Sequence, residues 1–461
     1  MKKDVIIVGA GLVGSLLSIY LSKRGYKVKI FERRPDMRKE EISVGRSINL
    51  ALSDRGLLAL EKVGLAEEIK KISIPMHGRY IHNADGSQVV QPYGKQGQYI
   101  NSVSRGTLNC KLMDLAEQQG VEINFNYKCN TIDWATNTIT FELPDSRLTP
   151  DGYRDHYSRL IFGADGAFAA TRLQHQLQHD KFDYHQYYID CGYKELTIPP
   201  TSDGEFAMHI NALHIWPRKN YMLIALPNLD KTFTCTLFFP FEARPGDPVG
   251  RGELSFDKLD TEEKVKTFFT KNFPDAVPLM PDYVNEFFRN PTSSLVTVKC
   301  YPWIREDKFA LIGDAAHALV PFFGQGMNCG FEDCRVLDEL IEKNDHNWTS
   351  ILKEYQELRK PDADAIADMA VENFIEMREK TADPKFLLQK KIEAKLHEKF
   401  PDKWIPAYAQ VTFNPQIRYS DALKRGRKQE AIMQEVMKIE GIEEKWESKE
   451  VEQLILGMLI R

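Results

Sequence analysis

The sequence predicts an α/β fold: a Rossmann-like nucleotide-binding domain with an inserted antiparallel β-sheet domain and a helical C-terminal cap. Three observations predict it. The N-terminus reads as strand, glycine-rich turn, helix and strand. Residues 182–298 break into short apolar runs separated by Pro, Asn and Asp, and beyond Asn347 the chain is long, charged and helical in pattern.

Residues 5–9 form an unbroken apolar run suited to a buried strand, 12–24 a helix, and 27–31 a strand alternating with charge, which together open a βαβ unit. Residues 80–84 and 88–91 flank Asp85-Gly86-Ser87, a hairpin turn signal set inside α/β sequence, so a second layer begins there. A helix over 107–119 and strands over 121–125 and 159–163 return to the α/β pattern. Runs at 206–215, 221–226 and 233–239 predict strands of a sheet over a pocket. Residues 309–312 resume the nucleotide-binding sheet, and 325–344 follow as a helix. In the cap, Pro361, Pro384, Pro401, Pro406 and Pro415 are expected breaks. The expected domains are therefore 1–74, 97–181 and 299–345 for nucleotide, 75–96 and 182–298 for substrate, and 346–461 for the cap.

With 461 residues the chain is several times a small single domain, and 43% hydrophobic content with 25 Phe and 18 Tyr supplies packed cores. Lys and Arg number 61 against 66 Asp and Glu, so the basic excess that binds nucleic acid is missing. Seven Cys without a C-x-x-C pair read as free thiols in a reducing, cytoplasmic setting. Lys2, Lys3 and the apolar run after them imitate a signal peptide, but Asp4 and Ser22-Lys23-Arg24-Gly25 at the cleavage position argue against one. No stretch reaches the roughly 20 apolar residues of a membrane span.

Gly9-Ala10-Gly11-Leu12-Val13-Gly14 matches G-x-G-x-x-G at a strand-to-helix turn, where glycines let a pyrophosphate approach the helix N-terminus. Glu32 closes the next strand, placed to accept hydrogen bonds from a ribose; FAD and NAD both remain open at this step. Gly163-Ala164-Asp165-Gly166-Ala167 is a second strand-end turn. The third motif runs from Gly313-Asp314-Ala315-Ala316-His317 into Pro321-Phe322-Phe323-Gly324-Gln325-Gly326-Met327-Asn328 and a helix. Its carboxylate suits a polyhydroxyl chain, and its turn aims N–H groups at an electron-rich ring. His317 reads as structural rather than as a base, and Cys329 and Cys334 as buried thiols without metal-ligand spacing. Arg33 and Arg34 suit either an NADPH phosphate or plain solvation.

These three motifs, in this order, resemble the flavoprotein aromatic hydroxylases of the para-hydroxybenzoate hydroxylase class. The resemblance implies one Rossmann-like domain for FAD and no separate domain for NADPH. It implies Gly9, Gly11, Val13, Gly14, Glu32, Ala51, Arg105, Asp165, Asp314, Gly326, Met327 and Asn328 at the FAD site, with Asp314 toward the ribityl chain and Met327-Asn328 at the isoalloxazine edge. A narrower set of motifs, over 45–53, 76–82, 214–218 and 321–328, resembles the kynurenine 3-monooxygenase family over residues 1 to about 425. That resemblance implies that Arg79, Tyr93, Asn373 and Tyr408 hold the amino-acid carboxylate of L-kynurenine. A guanidinium fork suits a free carboxylate, because it can bind both oxygens.

Leu213, Met222, Ile224, Leu226, Phe238, Pro321 and Phe322 are expected to wall the aryl ring. The implied reaction uses NADPH and O2 and passes through a flavin C4a-hydroperoxide, with no protein acid or base and no metal. A related flavin hydroxylase or reductase of another aromatic substrate, or a non-catalytic escort protein on the same fold, is the alternative. Eukaryotic members of the family carry a hydrophobic C-terminal membrane segment; residues 443–461 here start charged and end in a short apolar stretch, expected to pack on the cap.

Overall fold

A computed structural model of the chain describes residues 4–39, 49–94, 97–144, 152–243, 254–379 and 384–460. The opening unit forms strand Asp4–Val8, helix Leu12–Lys23 and strand Lys27–Glu32. Asp4–Val8 lies parallel between Lys27–Glu32 and Leu160–Gly163; Glu122–Phe125 and Phe309–Leu311 extend the sheet in parallel, and Ile304–Arg305 adds an antiparallel edge. Ile7, Ile30, Phe31, Ile161 and Phe162 are fully buried. That burial explains the unbroken apolar runs, since a parallel sheet is covered on both faces. Three loops leave the carboxyl ends of these strands together, where open α/β sheets bind ligands.

The second sheet runs in the order Ser293–Tyr301, Asp183–Ile198, Phe233–Pro240, Tyr221–Pro227, Ala212–Arg218, Gly78–His82 and Gln88–Pro92. It departs from the expected antiparallel sheet at one junction, where Gly78–His82 pairs parallel with Ala212–Arg218. These two strands are far apart in sequence, so no hairpin turn dictates their direction. The Asp85-Gly86-Ser87 hairpin forms as read, with Arg79 opposite Gln91 and Tyr80 opposite Val90. The strand expected over 206–215 begins only at Ala212. Residues 182–298 also contain two helices that the strand pattern hid, Glu262–Asn272 and Tyr283–Arg289. Val265, Phe268, Phe269 and Phe287 on those helices cover Trp216, Leu223, Leu237 and Phe239 on the outer face of the sheet.

The C-terminal region is helical, but Pro361 is not a break. It sits inside the 32-residue helix Trp348–Glu379. A proline costs a helix interior about 3 kcal/mol. Here the flanks offset that cost, because Arg359 and Asp362 are fixed in buried ion pairs and Ala363, Ile366 and Ala370 are buried. Pro384 opens helix Pro384–Lys399, and Pro406 immediately precedes helix Ala407–Phe413, positions where a missing N–H is tolerated. Helices Tyr419–Val436 and Lys449–Ile460 complete a core around Ile392, Trp404, Met433, Val436 and Ile455. No described helix is long and apolar enough to cross a membrane.

Asp54 opens helix Asp54–Lys62 beside the cavity, and burial pushes its carboxyl up to about 6. A carboxyl raised in the folded state favours folding only when protonated, so its charge opposes folding increasingly as pH rises from the unfolded value near 3.8 through 6. Asp54→Asn should therefore raise the thermal unfolding midpoint at pH 7.5 and leave it unchanged near pH 3.5, which differential scanning fluorimetry across pH would show.

Candidate functional site

Between the two sheets lies a cavity of about 360 Å³. Its floor is the inner face of the second sheet, and strand alternation selects the residues. Leu213 and Ile215, Met222, Ile224 and Leu226, Thr236 and Phe238, and Tyr193 face the cavity from four strands. Met222 stands opposite Phe238 and Ile224 opposite Thr236, which makes this a continuous apolar surface broken by one hydroxyl and one phenol. Pro321, Phe322 and Phe323 form the wall above it.

At one end the cavity meets two helix N-termini. Gly11, Leu12 and Val13 open helix Leu12–Lys23, whose N-cap Gly11 offers no side-chain cap. Gly324 through Met327 open helix Gly326–Lys343, also without a side-chain cap. The unpaired N–H groups and the positive ends of both helices therefore face this space. A Cβ at Gly11 would touch nothing within 4 Å, whereas one at Gly9 (φ +106°) would lie 2.5 Å from the Ala164 carbonyl oxygen, and one at Gly14 2.1 Å from that of Gly9. Gly9 and Gly14 thus permit the turn itself, and Gly11 leaves room in front of it. Asp314, Arg105, Ala51, Gly326 and Met327 line the same end, and the Ser53 hydroxyl beside them is buried without a partner. Diphosphate, polyol and flat ring would find donors, a carboxylate and an apolar edge here, so the residues fit an FAD.

Arg79 also lines the cavity. Its guanidinium lies 5.5 Å from the Tyr93 ring and 5.0 Å from the Tyr408 ring, and the two rings stack with centroids 5.9 Å apart. No carboxylate among the described residues pairs with it. Tyr93 Oη is buried beside it with no hydrogen-bond partner, and so is Thr412 Oγ1 elsewhere in the lining. Burial pushes the Tyr93 phenol up, so it keeps its proton and remains a donor. A cation with an idle donor in the wall of an apolar cleft is arranged for an anionic ligand group.

Several residues singled out from the sequence lie behind this lining. Glu32 accepts from Ala10 N–H (2.9 Å) and from the Arg34 backbone (3.0 Å) and Nε (2.8 Å). Burial would raise its carboxyl, but Arg34 and these N–H groups hold it below the ordinary value. Arg33 is exposed. Asp165 accepts from Thr171 N–H and Oγ1 at 3.0 and 2.6 Å, so it braces its own loop. Asn328 spans the site's back, its Oδ1 accepting from Ser53 N–H and its Nδ2 donating to the Ala51 and Gly324 carbonyls. Asn373 donates to the carbonyl of Phe322, a residue of the cavity wall, at 2.7 Å. His317 is buried on Asp333 at 2.6 Å, also outside the lining. Residues 45–48 of the sequence motif lie outside the described residues.

Tyr193, Ile215, Thr236, Phe323 and Thr412 line the cavity without having been singled out. Period-two extension from Leu213 and Phe238 reaches Ile215 and Thr236; Tyr193 and Thr412 gave no sequence signal.

Residues 2–370 match the family model described as FAD binding domain. The chain is 50% identical over 459 residues to the kynurenine 3-monooxygenase of Christiangramia forsetii, covering 99% of each chain, and 43% identical to that of Sus scrofa, covering 94% of this chain and 88% of that one. The fold is similar to 2-methyl-3-hydroxypyridine-5-carboxylic acid oxygenase (TM-score 0.63, 20% identity, 84% and 95% covered) and to the tetracycline destructase Tet(51) (TM-score 0.58, 19% identity, 85% and 97% covered). With its glycine turns, cavity and near-full-length relatives, the chain belongs to the kynurenine 3-monooxygenase family of FAD-binding flavoproteins.

Proposed function

We propose that this protein hydroxylates the ring of L-kynurenine beside its amino group: L-kynurenine, O2, NADPH and a proton give 3-hydroxykynurenine, NADP⁺ and water. The observation that supports it best is the Arg79 guanidinium, without a carboxylate partner among the described residues, set against the Tyr93 and Tyr408 rings in the same apolar cavity that the two helix N-termini open on. When bound, FAD supplies electron transfer to O2 and delivery of one oxygen atom. The chain's own residues position and exclude. Arg79 takes the substrate carboxylate with both arms of its fork, the Tyr93 hydroxyl donates to it, and Tyr408 closes over the pair. Leu213, Met222, Ile224, Leu226, Phe238, Pro321 and Phe322 hold the aryl ring toward Met327 and keep water away. Asn373 acts one step back, fixing the Phe322 turn through its carbonyl.

Gly9, Gly11, Val13, Gly14, Ala51, Arg105, Asp314, Gly326 and Met327 hold FAD, and Glu32, Asp165 and Asn328 brace the loops around it. The seven thiols are free, which suits a reducing cytoplasm. The test is NADPH oxidation with and without L-kynurenine, with products weighed by mass spectrometry and H2O2 measured in the same tube. Stimulation with a one-oxygen gain on kynurenine is expected; stimulation yielding H2O2 alone would overturn the reading. Gly9→Ala places a side chain on a positive-φ residue against backbone, a strain of about 1–3 kcal/mol, so FAD affinity should fall roughly tenfold or more, read as the flavin-to-protein absorbance ratio after dialysis.

A further inference from the structure

Helix Asp54–Lys62 follows directly on Ser53, which lines the cofactor end of the cavity, and its second residue is Arg55, 1% exposed. The Arg55 guanidinium reaches three separate parts of the chain. Nη1 meets Glu332 Oε1 at 2.6 Å, on helix Gly326–Lys343. Nη2 donates to the Ile417 and Asn414 carbonyls at 2.7 and 3.4 Å, and Nε to the Val411 carbonyl at 3.3 Å. Its face lies 4.1 Å over the Tyr419 ring, and Tyr419 Oη donates to Gln325 Oε1 at 2.9 Å, back in the cavity wall. The three carbonyls lie at the end of helix Ala407–Phe413 and in the turn after it, where helix carbonyls lose their internal partners. That helix carries Tyr408 and Thr412 into the cavity.

We propose that Arg55 is a positioning residue for the substrate pocket: one buried guanidinium fixes the Tyr408-bearing helix against the cofactor-facing turn. This rests on the substrate reading above only through the ligand used to probe it. Glu332 is a rigid anchor because Arg359 holds its other oxygen at 2.8 Å. A planar fork with five donors can serve a carboxylate, three carbonyls and a ring face together; an ammonium satisfies the carboxylate but neither the stacking nor all three carbonyls.

The experiment compares the wild-type holoenzyme with Arg55→Lys and Tyr419→Phe. It measures flavin content, L-kynurenine binding through the flavin absorbance change, kcat and KM, and hydrogen exchange over residues 405–420. Arg55→Lys is expected to retain FAD, weaken L-kynurenine binding roughly tenfold or more with kcat within about threefold, and speed exchange over 405–420 while residues 212–240 stay protected. Tyr419→Phe, which removes one hydroxyl, is expected to act in the same direction by roughly two- to fivefold.

Binding within twofold of wild type with unchanged exchange at 405–420 would overturn the proposal. So would exchange rising across the whole chain, which marks a merely structural residue. If Arg55→Lys does not fold, Tyr419→Phe decides by the same criteria. If the wild-type protein shows no response to L-kynurenine, the substrate reading fails, and exchange at 405–420 still decides the role of Arg55.

Discussion

Arg79→Met should raise KM for L-kynurenine by roughly 30-fold or more while flavin content stays at the wild-type level, since truncating one partner of a desolvated charge pair costs about 2–5 kcal/mol. The effect is large because nothing else near Arg79 offsets a carboxylate: its neighbours are the faces of Tyr93 and Tyr408, and those phenols supply hydrogen bonds but no charge. Arg79→Lys should fall between, keeping the charge and losing the fork. Steady-state kinetics with product analysis checks both, and a decarboxylated analogue of kynurenine should bind wild type and Arg79→Met about equally. Wild-type affinity for L-kynurenine in Arg79→Met would place the carboxylate elsewhere.

Asp333→Asn should destabilise the protein by about 3–5 kcal/mol, because it breaks a buried pair on both sides. Asp333 is 0% exposed; Oδ1 accepts from Arg359 Nε at 2.7 Å, and Oδ2 from His317 at 2.6 Å and from Gly313 N–H at 3.1 Å. Burial pushes the Asp333 carboxyl up, but His317 and Arg359 hold it below its ordinary value. Burial pushes the His317 imidazole down, yet Asp333 carries it well above 6.5.

The signs give a window. A depressed carboxyl contributes stability above its unfolded value near 3.8 that is lost as pH falls through the folded value. A raised imidazole contributes stability below 6.5 that is lost as pH rises through its folded value. The gap between wild type and Asp333→Asn in urea unfolding midpoint should therefore be greatest between about pH 4 and 6.5. A gap that does not vary with pH would mean that neither group titrates with folding.

What the sequence made legible follows from short-range rules. The glycine turns were readable because Gly9 and Gly14 answer to local backbone geometry, and the cavity floor because Met222, Ile224 and Leu226 obey a two-residue period. Arg79, Tyr93 and Tyr408 came from motif resemblance, and the fold does bring them together; taken alone, each reads as an ordinary surface or packing residue. The network of Arg55, Glu332 and Arg359 was not legible, because its members look like charges on solvated helices and their partners are set by tertiary packing. For Asn373 and Asp165 the motifs give the neighbourhood, while the bonds of Asn373 to Phe322 and of Asp165 to Thr171 leave no sequence trace. Pro361 misled for a related reason, since its helix is held by buried contacts on either side.

The alternation of the second sheet has an evolutionary reading. Residues facing the cavity, such as Leu213, Met222, Ile224 and Phe238, share no side-chain volume with Trp216, Leu223, Leu237 and Phe239, which face the helices on the other side. Substitutions on the first set change the shape of the space a ring enters, and substitutions on the second change the packing that keeps the sheet together. The shape of the cavity and the packing beneath the outer helices are therefore set by interleaved positions of the same strands. A directed library confined to the cavity-facing positions reshapes that space while leaving the packing of the sheet against helices Glu262–Asn272 and Tyr283–Arg289 untouched.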